Sequence, residues 1–234
     1  MSDFSPSAFF DLEGFFMPAL FDPEAPAWTA LGGHLEAVLA EHTEWHRGSE
    51  IGPGVHLLGD RIAIGRDVRI EPGAVLVGPA VIGGGGLIRT RASVRENGVV
   101  GPGFLGGAHS EGKGAVLLDG VKAPHQAYVG DFILGRDVNL GAGTICSNVK
   151  NIGREVSFRH EGAVISTGLR KFGAILGDGC KTGCNTVLNP GVLCGPGCVT
   201  YPNATLAAGF YPAETLVKVR QQQHVVELTK LRRR

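Results

Sequence analysis

Counting in sixes from Leu58 meets Ile64, Ile70, Leu76, Ile82, Ile88, Val94 and Val100, all of them aliphatic. Four residues after each comes a mostly small side chain: Ile62, Val68, Ala74, Ala80, Gly86, Ala92, Gly98 and Phe104. The rhythm returns at Leu134 and Leu140. It returns again at Leu176, Thr182, Leu188, Cys194 and Thr200, with Cys180, Thr186, Val192, Cys198 and Ala204 at the fourth offset. A period of six fits neither a helix nor an alternating strand. It predicts an all-β fold, a parallel β-helix in which each hexapeptide is one short strand and one turn. The aliphatic residue points inward and stacks on its equivalents in adjacent coils. The glycines of IGPG, IGRD, VGPG and LGAG supply turn conformations that side chains obstruct.

The ends and two interruptions depart from the rhythm. Residues 1–47 lack it, and WTALGGHLEAVLAEH sets Leu31, Leu35, Val38 and Leu39 at helical spacing. This segment is expected to form a helical cap over the first coil, since solenoids need their open sheet edge covered. The β-helix is expected over 48–210. Residues 211–234 read as a tail, with QQQHVVELTKLRRR a short basic helix or extension. Residues 106–131 and 146–174 break the period. The second break carries Arg154, Arg159, His160, Arg170 and Lys171, and is expected to project from the coils. In repeat proteins such insertions gather on one face and often form the site.

Composition narrows the function classes. The 22 basic residues balance the 22 acidic ones, so the basic excess of a nucleic-acid-binding protein is missing. Glycine, at 37 residues, is about twice its usual share, which suits a turn every few residues. The N-terminus, MSDFSPSAFFDLEGFF, is acidic where a signal peptide is basic, and no apolar run approaches the ~20 residues of a membrane span. The five cysteines are an odd count, which with no export signal predicts reduced thiols in a cytoplasm. Cys180, Cys184, Cys194 and Cys198 have a zinc-like spacing, but the repeat explains them better. Cys194 falls at the inward position, Cys180 and Cys198 at the small offset, and Cys184 faces another way. No close pair of histidines five apart points to a metal-dependent hexapeptide-repeat hydratase either.

The chemistry gathers around KAPHQAYVGD and LGRDVNLGAGTICSN. These stretches place His125, Tyr128, Gly130-Asp131, Asn139, Gly141-Ala142-Gly143-Thr144 and Asn148 in a fixed order. Upstream, Arg95 and Lys113 lie 18 residues apart, with Lys113 12 before His125, and Lys171 stands six before the next Gly-Asp coil. Over residues 50–206 this resembles the acetyltransferase domain of the bifunctional enzyme that makes UDP-N-acetylglucosamine. The resemblance implies a left-handed coil and transfer of acetyl from acetyl-CoA to the amine of a hexosamine 1-phosphate. It implies no metal in the site, and homotrimers with sites between subunits. His125 would be the general base, because imidazole titrates near neutrality. Asn148 would orient the amine. Arg95, Lys113, Tyr128, Asn139 and Lys171 would hold the sugar phosphate. Ala142 would offer a backbone N–H to the thioester carbonyl, and Cys184 would line the acetyl-CoA groove. Lys171 is expected at a site partly made by a neighbouring subunit.

Four features depart from that pattern. Val149 stands where the family has tyrosine and Cys184 where it has serine. The 146–174 insertion is longer, as in archaeal-type sugar-phosphate nucleotidyltransferases. No glycine-rich loop of the LxxGxGTRM type appears, so uridylyl transfer is not expected. The alternative is a non-catalytic sugar-phosphate- or sugar-nucleotide-binding protein that keeps the fold.

Overall fold

The computed structural model describes residues 4–42, 44–220, 222 and 225. The six-residue pattern folds as a left-handed parallel β-helix with strands of two to four residues. Up to Ile133–Leu134 each strand pairs in parallel with the strand three further along, and beyond it the coil strands go on pairing in parallel with the coil above, so the chain winds through three sheets. One eight-stranded sheet runs from His56–Leu58 through Glu111–Lys113 and Tyr128–Gly130 to Thr205–Leu206. We call it the open face. A second eight-stranded sheet, from Ile62–Ile64 to Gly209–Tyr211, is the covered face. The third face holds Arg69–Ile70, Leu87–Ile88, Leu105–Ala108 and Lys122–His125, and continues through single bridges at Asn139, Lys181 and Val199.

The inward stack follows the repeat. Ile64, Ile70, Leu76, Ile82, Ile88, Val94 and Val100 line one core with Leu134, Leu140, Leu176, Leu188 and Cys194. Thr182 and Thr200 are buried too. Their hydroxyls are satisfied inside the coil by Thr144 at 2.8 Å and Thr186 at 2.9 Å. Leu58 is the exception: it is 52% exposed, while Leu57 pairs with Leu76 and packs on the core. The Gly59-Asp60-Arg61 corner holds one residue more than the others, so the register before it is shifted by one. Cys146, Cys180, Cys194 and Cys198 are buried and Cys184 is exposed, as the repeat requires. Burial in apolar surroundings pushes the Cys146 thiol up.

A second core lies outside the coil. Strands of the covered face are apolar on both sides, as in Ile62–Ile64, Ala80–Ile82 and Val192–Cys194, which show no exposed position. Their outward residues Ala63, Val81, Val99, Val116, Ile133, Ile175 and Leu193 pack against Phe9, Phe10, Leu20, Trp28, Leu31, Leu35 and Leu39 of the N-terminal segment. That segment is therefore no lid on the first coil. It is three 3-10 turns and one helix, α1 (Gly33–Glu41), laid along the flank of the β-helix. The apolar flank decides this, because burying a whole sheet face removes far more surface from water than covering one coil end. Asp178 fastens its start, accepting the amides of Asp11 and Arg136 at 2.7 Å each, with its pKa raised chiefly by burial.

The 146–174 insertion also folds back instead of projecting. It forms an antiparallel hairpin, Ser157–His160 with Ala163–Ser166. Val156, Phe158 and Phe172 join the second core, and the Phe158 ring meets Phe4 at 5.3 Å and Trp28 at 5.7 Å. The turn before the hairpin leaves Ile152 exposed, and the second hairpin strand leaves Val164 exposed. At the far end the coil continues past residue 210. Gly209–Tyr211 pairs with Val192–Cys194, and Leu216–Val217 with Val199–Thr200. The expected basic C-terminal helix lies outside the described residues, apart from Gln222 and Val225.

Candidate functional site

The strand Lys122–His125 pairs with Leu105–Ala108, setting Ala123 opposite Gly106 and His125 opposite Ala108. This pairing needs glycine at 107, where a Cβ would stand 1.5 Å from the Pro124 carbonyl oxygen. Gln126 then turns the chain at φ 48°, with its N–H donating to Ala108 at 3.1 Å. His125 is left exposed at the edge between the third face and the open face. The next coils continue that edge. Gly143 N–H donates to the His125 carbonyl at 3.2 Å, Asn185 N–H to Ala142 at 2.8 Å, and Asn203 N–H to Cys184 at 2.8 Å. His125, Ala142 and Cys184 thus climb one edge in successive coils. Asn139 lies on the third face, bridged between Lys122 and Lys181.

Tyr128 begins the open-face strand after this turn. Its ring lies along the face, and a Cβ on Gly130 would stand 2.5 Å from the Tyr128 hydroxyl oxygen. The Gly-Asp of the motif therefore has a physical reason. Gly130 leaves room for the ring, and Asp131, at φ 54°, turns the chain onto the covered face. The hydroxyl is directed away from His125, toward the opposite edge.

That opposite edge carries the charge. Arg95 donates to Glu111 at 2.8 Å and lies 3.4 Å from the Glu96 carboxylate. Its pKa is raised, mainly by the bond to Glu111. Lys113 lies one coil further on, its Nζ 4.0 Å from Asp131, whose N–H donates to the Lys113 carbonyl at 2.9 Å. The Asn148 side-chain amide donates to Asp131. Phe172 N–H donates back to the Asn148 carbonyl at 3.0 Å, which closes the insertion, and Val149 bridges Lys171. The Tyr128 phenol is held neutral: partial burial raises its pKa first, with the carboxylates of Glu111 and Asp131 adding to it, against Arg95 and the Asn148 hydrogen bond.

Within one chain the expected residues therefore form two groups. Arg95, Lys113, Tyr128, Asn148 and Lys171 gather at the edge shared by the open and covered faces. His125, Ala142 and Cys184 occupy the other edge of the open face, and Asn139 stands apart from both. Sequence reasoning missed Glu111 and Asp131, which pair the cations. Asp131 was visible in the Gly-Asp step; Glu111 carries no motif. Among the described residues, no group of three or more His, Cys, Asp or Glu is placed to hold a metal ion, and no helix is long and apolar enough to cross a membrane.

No protein-family model matches the chain. Among curated proteins it is 42% identical over 100 residues to the bifunctional sugar-1-phosphate nucleotidylyltransferase/acetyltransferase of Sulfurisphaera tokodaii, covering 43% of this chain and 25% of that protein. It is 39% identical over 104 residues to the bifunctional protein GlmU of Methanococcus vannielii, covering 44% of this chain and 25% of that one. The match to GlmU of Synechococcus sp. RCC307 is 32% over 165 residues, or 64% of this chain and 33% of the other. The resemblance read from the motifs is borne out by relatives of the same kind. The chain spans about a quarter of the length of the first two.

Proposed function

We propose that this protein is an acetyl-CoA-dependent N-acetyltransferase acting on an amino-sugar phosphate such as glucosamine 1-phosphate. The observation that carries the reading is the division of one exposed face. One edge offers an accessible imidazole and a run of small residues, the other a cluster of fixed cations. Each edge has half of what acyl transfer to a phosphorylated amine requires. A threefold assembly of the chain, packed through the open face, would bring one copy's His125 edge against its neighbour's Lys113 edge.

In that arrangement Lys113, Lys171 and Tyr128 hold the phosphate, and Asn148 directs the amine. His125 takes the proton that the nitrogen loses as it bonds to the acyl carbon. The Ala142 amide supports the carbonyl oxygen as negative charge develops there. The C–S bond then breaks, and the thiolate of coenzyme A leaves and is protonated. Gly141, Ala142, Gly143 and Gly183 keep the edge clear of long side chains, which suits an extended pantetheine arm beside Cys184. Asn139, facing a different way, suits a later part of the acetyl-CoA groove better than the phosphate.

A second reading, binding without turnover, is favoured by Arg95. Its guanidinium is already engaged by Glu96 and Glu111, so a phosphate has to compete for it. Two measurements separate the readings: thiol release from acetyl-CoA with glucosamine 1-phosphate, and calorimetric binding of the sugar phosphate alone. Turnover supports the enzyme, and binding without thiol release supports the scaffold. Absence of both overturns the assignment.

A further inference from the structure

Helix α1 does more than cover the flank. Between it, the Lys113 edge and the segment that follows the insertion hairpin lies a cleft of about 200 Å³, lined by Glu36, Asn97, Lys113, Asp131, Leu169 and Lys171 among others. Leu35 and Leu39 are fully buried on either side of Glu36 in sequence, so the helix is locked against the β-helix and the backbone of Glu36, whose side chain is exposed, is set beside the cleft. Asn97 turns the neighbouring coil at φ 60°, and its side-chain amide donates to Glu36 at 3.4 Å. A contact at the long end of the hydrogen-bond range is readily exchanged for a ligand group.

The charges in the cleft are sorted. Lys113 and Lys171 lie together at the coil edge. The Asp131 carboxylate beside them is taken up by Asn148 and Lys113. Glu36 comes from the opposite wall, on a different element. A phosphate is drawn to the lysines and repelled by Glu36, so a carboxylate in that position faces the uncharged part of a ligand. Carboxylate and amide side by side are an acceptor and a donor, the pair that a sugar hydroxyl satisfies in both directions.

We propose that Glu36, with Asn97, is the specificity-determining residue of this cleft: it accepts a hydrogen bond from a ring or exocyclic hydroxyl of the amino sugar whose phosphate lies on Lys113 and Lys171. The inference rests on the amino-sugar-phosphate reading above and adds a determinant from the N-terminal segment, outside the repeat. The acceptor this cleft selects carries a free hydroxyl at the end remote from its phosphate.

The test measures calorimetric binding of glucosamine 1-phosphate and its 3-, 4- and 6-deoxy analogues, without acyl donor, to the wild type, Glu36→Gln, Glu36→Ala and Asn97→Gly. The glycine variant keeps the left-handed backbone while removing the amide. Circular dichroism melts establish that each variant is folded. The wild type should bind one deoxy analogue about 10–100-fold more weakly than the parent, as expected for a hydrogen bond to a charged group. Glu36→Ala should bring that ratio close to one, with Glu36→Gln between. Equal binding of all the analogues by the wild type, or an unchanged ratio in Glu36→Ala, overturns the role of Glu36 and leaves the amino-sugar-phosphate reading standing. Failure of the wild type to bind the parent sugar phosphate overturns both.

Discussion

His125 and Lys113 sit on different edges and predict different kinetic signatures. General-base catalysis contributes about 10²–10⁴-fold, so His125→Ala should lower kcat by that order with KM little changed. Lys113→Ala should weaken sugar-phosphate binding about tenfold, since its side chain is partly buried and its charge is replaced only in part by Lys171. Steady-state kinetics with thiol release checks the first, and calorimetry the second. Wild-type turnover in His125→Ala would remove it as the base. Cys184 offers a cheaper probe. It is exposed, while the other four cysteines are buried. Brief alkylation of the folded protein should yield one adduct, at Cys184 by peptide mass spectrometry. Coenzyme A should slow that reaction if the pantetheine arm lies along the edge; an unchanged rate would place the arm elsewhere.

At the level of elements, the His125 strand depends on a glycine outside the motif. Gly107→Ala puts a methyl onto the Pro124 carbonyl, where backbone cannot yield without breaking the pairing that presents His125. It should cost about 1–3 kcal/mol in urea unfolding and reduce turnover together with stability. The insertion hairpin is anchored by Phe158 and Phe172. Phe172 is fully buried, and Phe172→Ala should cost about 3–5 kcal/mol. Because the same aromatic cluster holds the N-terminal segment, limited proteolysis of this variant should release both segments faster than the wild type. Release of neither would mean that the two are held independently. The hexapeptide rhythm could not announce this second core. It was nevertheless written in the covered-face triplets, whose outward middle residues are apolar where the open face turns Ser93, Glu111 and Lys113 outward.

At the level of the whole molecule, the two edges make a prediction about assembly. If one copy supplies His125 and its neighbour Lys113, subunits of His125→Ala and Lys113→Ala complement each other. Unfolded together, mixed equally and refolded, they should regain about a quarter of wild-type activity, because one interface in four then pairs two intact residues. Assayed with the sugar phosphate far below its KM, each variant refolded alone should stay below that level, His125→Ala near background and Lys113→Ala at about a tenth of wild type. No recovery in verified mixed oligomers would confine the site to one chain. The oligomer is measured directly by sedimentation, where three copies are expected.

The coil was legible in the sequence alone because its core repeats with a short local period: each hexapeptide carries its own inward residue and turn. His125, Tyr128 and the cations were legible only through the resemblance of their spacings to those of the acetyltransferase domain. Leu58 shows the limit. One extra corner residue, invisible to a fixed count, turned it outward. Tertiary structure alone decided how residues 4–42 and the insertion are used. Their aromatic residues have no period, and only the apolar flank of the finished coil specifies where they pack. It also separated His125 from Lys113. A step of 12 residues along the chain says nothing of which corner a side chain leaves, and in a three-sided coil that corner determines which residues can share a site.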